Sequence, residues 1–284
     1  MARDTGFPDA DAENDFQRMR RHAELARLTQ WFTRQPADVN TILPFDEVVA
    51  ALGRTGETAL GLLPVEVSSI VGSVDRTKDF DRYFRPTSSR IRERWQRLAA
   101  AQRRGESVPP VRLYRIGTMH FVIDGHHRIS IAIARHLHTI DAYVTEIHTR
   151  ISPEGINVTG DLILKDHRRL FLTRVPLPTA QAEVIRFGDP FDYAELAECV
   201  EAWGFRAAQE IGEFISRTDV ARRWFGEEFL PVVRMARRAN VRPDLTSDSE
   251  LYLWLACERY RLVRKHIWDD AIIDELRDHP PRRR

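Results

Sequence analysis

Cysteine is nearly absent from this chain. Cys199 and Cys257 are the two in 284 residues, and no CxxC spacing occurs, which speaks against a disulfide framework or a zinc knuckle and fits a reducing compartment. Long apolar runs are missing too: none approaches the ~20 residues that span a bilayer. The start, Met1-Ala2-Arg3-Asp4, leads into polar and acidic residues rather than an apolar signal core, so a cytoplasmic protein with no membrane partner is expected. Lysine is scarce, with Lys78, Lys165 and Lys265 the only lysines among 43 Lys+Arg residues. Arginine offers a planar fork for phosphates and carboxylates, although an arginine bias also follows from GC-rich coding. Net charge of one sign is lacking as well, and a value of +1 argues against a dedicated nucleic-acid coat.

What is present is an ordinary globular composition, 43% hydrophobic and 30% charged, enough for one large domain or two modest ones. Four segments are expected. Residues 1–59 read as a leader, disordered to about residue 13, followed by a helical brace. The brace has one helix from Phe16 to Gln35, stopped by Pro36, and a second from Pro44 to Leu52, ended by Gly53. Residues 60–150 open on a strand near Leu62–Val71 and a loop mixing carboxylates, arginines and aromatics, Asp79-Phe80-Asp81-Arg82-Tyr83-Phe84-Arg85. A helix over Ile91–Arg103 follows, then a hairpin, Val111–Ile116 and Met119–Ile123, turning at Gly117-Thr118. A tight turn, a helix carrying Ile129 to Leu137 and a strand over Ile140–Ile147 complete it. Residues 151–188 read as a β-rich connector with strands at Leu162–Leu164 and Arg169–Val175, and residues 189–284 as a helical module.

The chemistry concentrates in Asp124-Gly125-His126-His127-Arg128, between a strand and a helix. A glycine there lets the chain turn so that the first helical amides point into one concavity, where the helix dipole favours an anion. Arg128 adds a fork for a phosphate, and His126 and His127 are further donors. Asp124 caps the helix, orients a histidine or holds Mg on the phosphates. Each has a plainer alternative, a tight turn for Gly125 and a cap for Asp124. Adjacent histidines diverge by ~100° on a helix, so imidazole metal ligation is not expected.

The run Pro109–Ile147, centred on this box, resembles the ParB/sulfiredoxin superfamily, and Leu63–Ile70 followed by Asp75-Arg76 is similar to the strand and first box that open that unit. The resemblance implies an α+β fold with a ParB/sulfiredoxin-like mixed sheet and a bound nucleotide (ATP, ADP or CTP) with Mg. It implies phosphate contacts from Asp124, Gly125, His126, His127, Arg128 and Arg76. His126 stands where sulfiredoxins have their reacting cysteine, which removes thiol reductase chemistry. The box resembles that of the free serine kinases of this fold, which implies a carboxylate to take a proton from a small hydroxyl substrate. Asp75, Asp79 and Asp81 are the candidates, each also a plausible loop ion pair, with His120 at the hairpin's far end as another base. With Val71–Val74, Asp79–Arg82, the box itself and, in the helical module, Trp224-Phe225, Pro231–Val233 and Asp248–Trp254, the whole chain also resembles bacterial ParB-like nuclease-domain proteins.

Phosphoryl transfer or nucleotide hydrolysis is therefore the expected activity. The alternatives are a nucleotide-dependent, partition-type DNA-binding protein and a non-catalytic scaffold; a homo-oligomer is compatible with all three. No helix-turn-helix is evident after Arg150, and Thr218–Arg223 with Arg234, Arg237 and Arg238 supplies the basic helical surface for the DNA alternative.

Overall fold

The computed structural model describes residues 5–33, 41–75, 79–262 and 268–277. The chain divides into two compact units, Met1–Lys165 and Asp166–Arg284. The first is α+β and the second helical.

The strands of the first unit are β1 (Leu43–Pro44), β2 (Arg54–Glu66), β3 (Ile70–Ser73), β4 (Val111–Ile116), β5 (Met119–Asp124) and β6 (Thr139–Thr149). They form a mixed sheet of order β1-β3-β5-β4-β6-β2. β4 and β5 are the expected hairpin, with Leu113 opposite Val122 and Tyr114 opposite Phe121. Gly117 turns it at φ 58°, and a Cβ there would meet Pro153 Cγ at 2.7 Å. β3 runs parallel to β5, so Ser73 lies beside Val122 and both strands deliver their C-terminal ends to the same edge of the sheet. Alternation gives the two faces different partners. Leu113 and Val122 join a core with Phe16, Trp95, Ile129 and Ile131. Phe45 stacks on Tyr114 (4.6 Å) and meets Phe121 edge-on (5.5 Å).

The helices of this unit are α1 (Pro8–Thr33), α2 (Phe45–Leu52), α3 (Arg92–Arg103) and α4 (His126–Ala134). Helix α2 lies as the sequence indicates, between Pro44 and Gly53. Helix α1 corrects the expected disordered leader, because it begins at Pro8. Ala12 is fully buried and Asp11 and Asp15 nearly so. Asp15 pairs with Arg103 of α3 and with Arg18 (2.7 Å), and Arg18 Nη2 also donates to Ala134 O (3.0 Å) at the end of α4. Within the segment that read as disordered, Asp11 pairs with Arg103 (3.9 Å), Asp9 with Arg104 (3.7 Å) and Glu13 with Arg92, so its polar residues are partners for arginines of α3 and its end. The segment 1–59 also enters the sheet, through β1 and the start of β2.

The expected β-rich connector is helical. Residues Asp161–Arg174 form α5, inside which the boundary between the units falls. Asp161 Oδ2 accepts from the amides of Asn157 (2.7 Å) and Val158 (2.9 Å), an acidic start that suits a helix. Leu162, Arg168 and Phe171 are buried while Ile163 is 58% exposed, so the aliphatic run has one helical face rather than strand alternation. The second unit continues with α6 (Thr179–Ala182), α7 (Asp192–Ile211), α8 (Arg217–Trp224), α9 (Leu230–Arg238), α10 (Asp248–Leu262) and α11 (Asp270–Arg277). A π-helical turn, Phe225–Phe229, joins α8 to α9. Pro231 follows, and its missing amide hydrogen removes one α-helical bond there. Trp224, Phe229 and Tyr252 are buried together, with Trp224 Nε1 donating to Tyr252 Oη (3.0 Å) and Tyr252 Oη donating to Glu228 (2.9 Å). Among the described residues no helix is long and apolar enough to cross a membrane.

Candidate functional site

The strand-to-helix turn is built on Gly125. β5 ends at Asp124, Gly125 takes φ 108° and ψ 21°, and α4 begins at His126. A Cβ at Gly125 would lie 2.5 Å from Val111 Cγ1 and 3.1 Å from Arg128 Nε, so both conformation and space require glycine. Gly125, the residue before α4, has no side chain with which to cap it, and the opening amides of a helix have no carbonyl partner within it. These amides sit at a small polar cleft of about 80 Å³, lined by residues of the turn together with Asp75, Arg94 and Leu98. Pockets that enclose a drug-sized ligand run to roughly 300–1,000 Å³, so this one matches a single oxyanion group rather than a whole nucleotide.

Asp124 is 62% exposed and accepts from Arg128 Nη2 (2.6 Å), so it steadies the arginine rather than capping the helix. Arg128 Nη1 donates to the carbonyls of Pro109 (2.5 Å) and Pro110 (2.9 Å). Much of the Arg128 fork is therefore spent on the chain entering β4, and the side chain is 13% exposed. Arg94, exposed on α3, is a second cation at the cleft that the sequence reading missed. The arginine-rich face of that helix was its only signal.

His126 and His127 both line the cleft but are 5% exposed. His126 Nε2 lies 2.6 Å from Ser73 Oγ, and its ring stacks on Phe80 at 6.1 Å; His127 meets Phe80 edge-on at 5.7 Å. Ser73 has one hydroxyl hydrogen, which it gives to the carbonyl of Asp75, and it accepts from the Asp75 amide (3.1 Å). Its contact with His126 Nε2 completes the set, the ring nitrogen donating or accepting according to its tautomer. Ser73 thus ties β3, the Asp75 turn and the first histidine of α4 together, a role that only the fold reveals.

Of the three candidate aspartates, Asp75 alone among the described residues lines the cleft. Asp79 and Asp81 do not. Asp81 organises the following loop: Oδ1 accepts from the amides of Tyr83 and Arg85 (3.0 Å each), and Oδ2 from Arg85 Nε (2.7 Å). Arg76 lies outside the described residues. His120 sits near the opposite end of β5, beside Ser69 Oγ (2.9 Å). Burial, reinforced by the Arg115 guanidinium, lowers its pKa to about 4. The Cys199 thiol is pushed up to about 11, chiefly by burial, which makes it a poor nucleophile at neutral pH.

Among the described residues no group of three or more His, Cys, Asp or Glu is placed to hold a metal ion. Asp75 and Asp124 nevertheless line one cleft, and Mg is commonly held by one or two carboxylates together with substrate phosphates. In the second unit, Arg222 pairs with Asp219, Arg223 with Glu227 and Arg237 with Asp248, so much of the basic helical surface is matched by carboxylates. No protein-family model matches the chain, and no curated protein matches its sequence.

Proposed function

We propose that this is a ParB/sulfiredoxin-like nucleotide-binding protein that transfers a phosphoryl group to a small hydroxyl substrate or to water. The observation that carries this reading is the Gly125 turn, which sets the first amides of α4, Arg94 and Arg128 around one oxyanion-sized cleft. A terminal phosphate occupies the cleft, with ribose and base outside it. Binding should then follow the phosphate chain more than the base. Asp75 is the group that takes the hydroxyl proton, since phosphoryl transfer otherwise needs mainly positioning and charge neutralisation. Asp124 would hold Mg, which would supply charge neutralisation on the phosphates. The histidines shape the wall of the cleft, and His126 is held by Ser73 rather than aimed at the ligand.

The test is calorimetric titration with ATP, ADP, CTP and GTP in the presence of Mg. Affinities within about tenfold of one another are expected across bases, and Arg94→Ala should weaken them by about tenfold, as for one lost charge-assisted contact. Arg94 is the better probe, because Arg128→Ala also frees the Pro109 and Pro110 carbonyls. Absence of binding by all four nucleotides would refute the proposal. Turnover with and without free serine then separates kinase from hydrolase.

A further inference from the structure

The first unit has a second, larger cavity, of about 530 Å³, at the other end of α4. Its wall combines Ile70 of β3, Ile133 and Leu137 at the end of α4, and Phe84 of the loop. Arg82, His136 and His138 also line it, and no carboxylate is among the described residues that do. The size falls in the roughly 300–1,000 Å³ range of small-molecule pockets, and an apolar wall with a few polar groups of one kind is their usual composition. A second observation concerns the backbone. Phe84 (φ 52°) and His136 (φ 55°) are two of the four non-glycine residues with positive φ among those described, and both line this cavity. At His136 it is the left-handed turn that ends α4, closed by Leu137 N on Ala132 O (2.9 Å) and His136 N on Ile133 O (3.0 Å), and at Phe84 the turn closed by its amide on Asp81 O (2.8 Å), so both turns bring their residues to the cavity.

We propose that this cavity binds a small organic anion with an apolar body, the anionic group meeting Arg82 and the two histidines and the body lying against Ile70, Ile133 and Leu137. Arginine is the side chain here that keeps its charge at all working pH, and its fork fits a carboxylate, sulfonate or phosphate ester. The site is separate from the cleft at Gly125 and does not depend on nucleotide binding there.

The probe is 8-anilinonaphthalene-1-sulfonate, an apolar aromatic anion that fluoresces when shielded from water, titrated into the full chain. One saturable site is expected. Leu137→Asp, which puts a carboxylate at a 42% exposed position of the mouth, should weaken it by about tenfold, and Arg82→Gln by several-fold. His136→Gly keeps the left-handed turn that glycine adopts readily, and should also weaken binding several-fold while the circular dichroism is unchanged. Tyr143→Asp, at a 52% exposed position of β6 outside the cavity, should leave it unaltered. The proposal is overturned if no saturable binding occurs, if Leu137→Asp and His136→Gly leave it unchanged, or if Tyr143→Asp weakens it equally.

Discussion

Replacing Gly125 by alanine separates the two demands placed on the turn. A non-glycine residue in the left-handed region costs roughly 1–2 kcal/mol. At φ 108° the residue lies beyond the centre of that region, so the upper part of the range applies. The new Cβ would approach Val111 Cγ1 to 2.5 Å and Val111 Cβ to 2.9 Å. Val111 is fully buried on β4, which is paired on both sides by β5 and β6, so it has little room to yield. Overpacking of this kind adds typically 1–3 kcal/mol, for a total of about 3–5 kcal/mol. Gly105→Ala is the matched control: φ is 79°, and nothing lies within 4 Å of the added Cβ. It carries the conformational strain without the collision. Urea unfolding followed by circular dichroism should show Gly125→Ala destabilised by at least about 1 kcal/mol more than Gly105→Ala. Equal losses would refute the account of a turn closed by Val111, and with it the reason given for glycine at the head of α4.

Ser73→Ala should cost about 1–3 kcal/mol, because it takes from the buried His126 Nε2 and from the Asp75 amide the hydroxyl they both meet; thermal unfolding checks the loss, and no change would remove Ser73 as the tie between β3 and α4. Stability should also fall on acidification through His120. Unfolded, its imidazole takes a proton near 6.5, whereas in the fold burial and Arg115 delay protonation to about 4. Between these values the unfolded chain binds more protons, so stability declines as pH falls and the effect vanishes above the upper limit. Discounted for partial exposure, the loss by pH 4.5 is about 1–2 kcal/mol. Urea midpoints measured from pH 7 to 4.5 should show this slope in the wild type and a shallower one in His120→Asn, and parallel slopes would contradict the assignment.

The parts of the fold legible in the sequence are those written locally. The β4–β5 hairpin shows in the alternation around Gly117-Thr118, and α2 in its flanking Pro44 and Gly53. The start of α1 does not, because the residues that make Asp15 and Glu13 structural, Arg103 and Arg92, lie 88 and 79 positions away. Residues 161–174 read as strands because a short aliphatic run fits a strand or one face of a helix equally well, and only the exposure of Ile163 beside buried Leu162 decides between them. The candidate site divides in the same way. Asp124 to Arg128 form one consecutive turn and are visible as such. Arg94 and Ser73 come from α3 and β3, and nothing in the sequence near Gly125 points to them. Arg128 was visible as a cation, but its ties to Pro109 and Pro110 were not.

The loop held by Asp81 reaches the surroundings of both sites. Phe80 lies against His126 and His127 at the head of that helix, and Phe84 lines the cavity at its tail. Between them, one carboxylate gathers two amides and a guanidinium into a single block. The two ends of α4 therefore share a strap. Asp81→Asn would slacken it at both ends at once, so a substitution that lines neither the cleft nor the cavity would disturb both, and any preference of one occupant for a taut strap is returned in equal measure by the other.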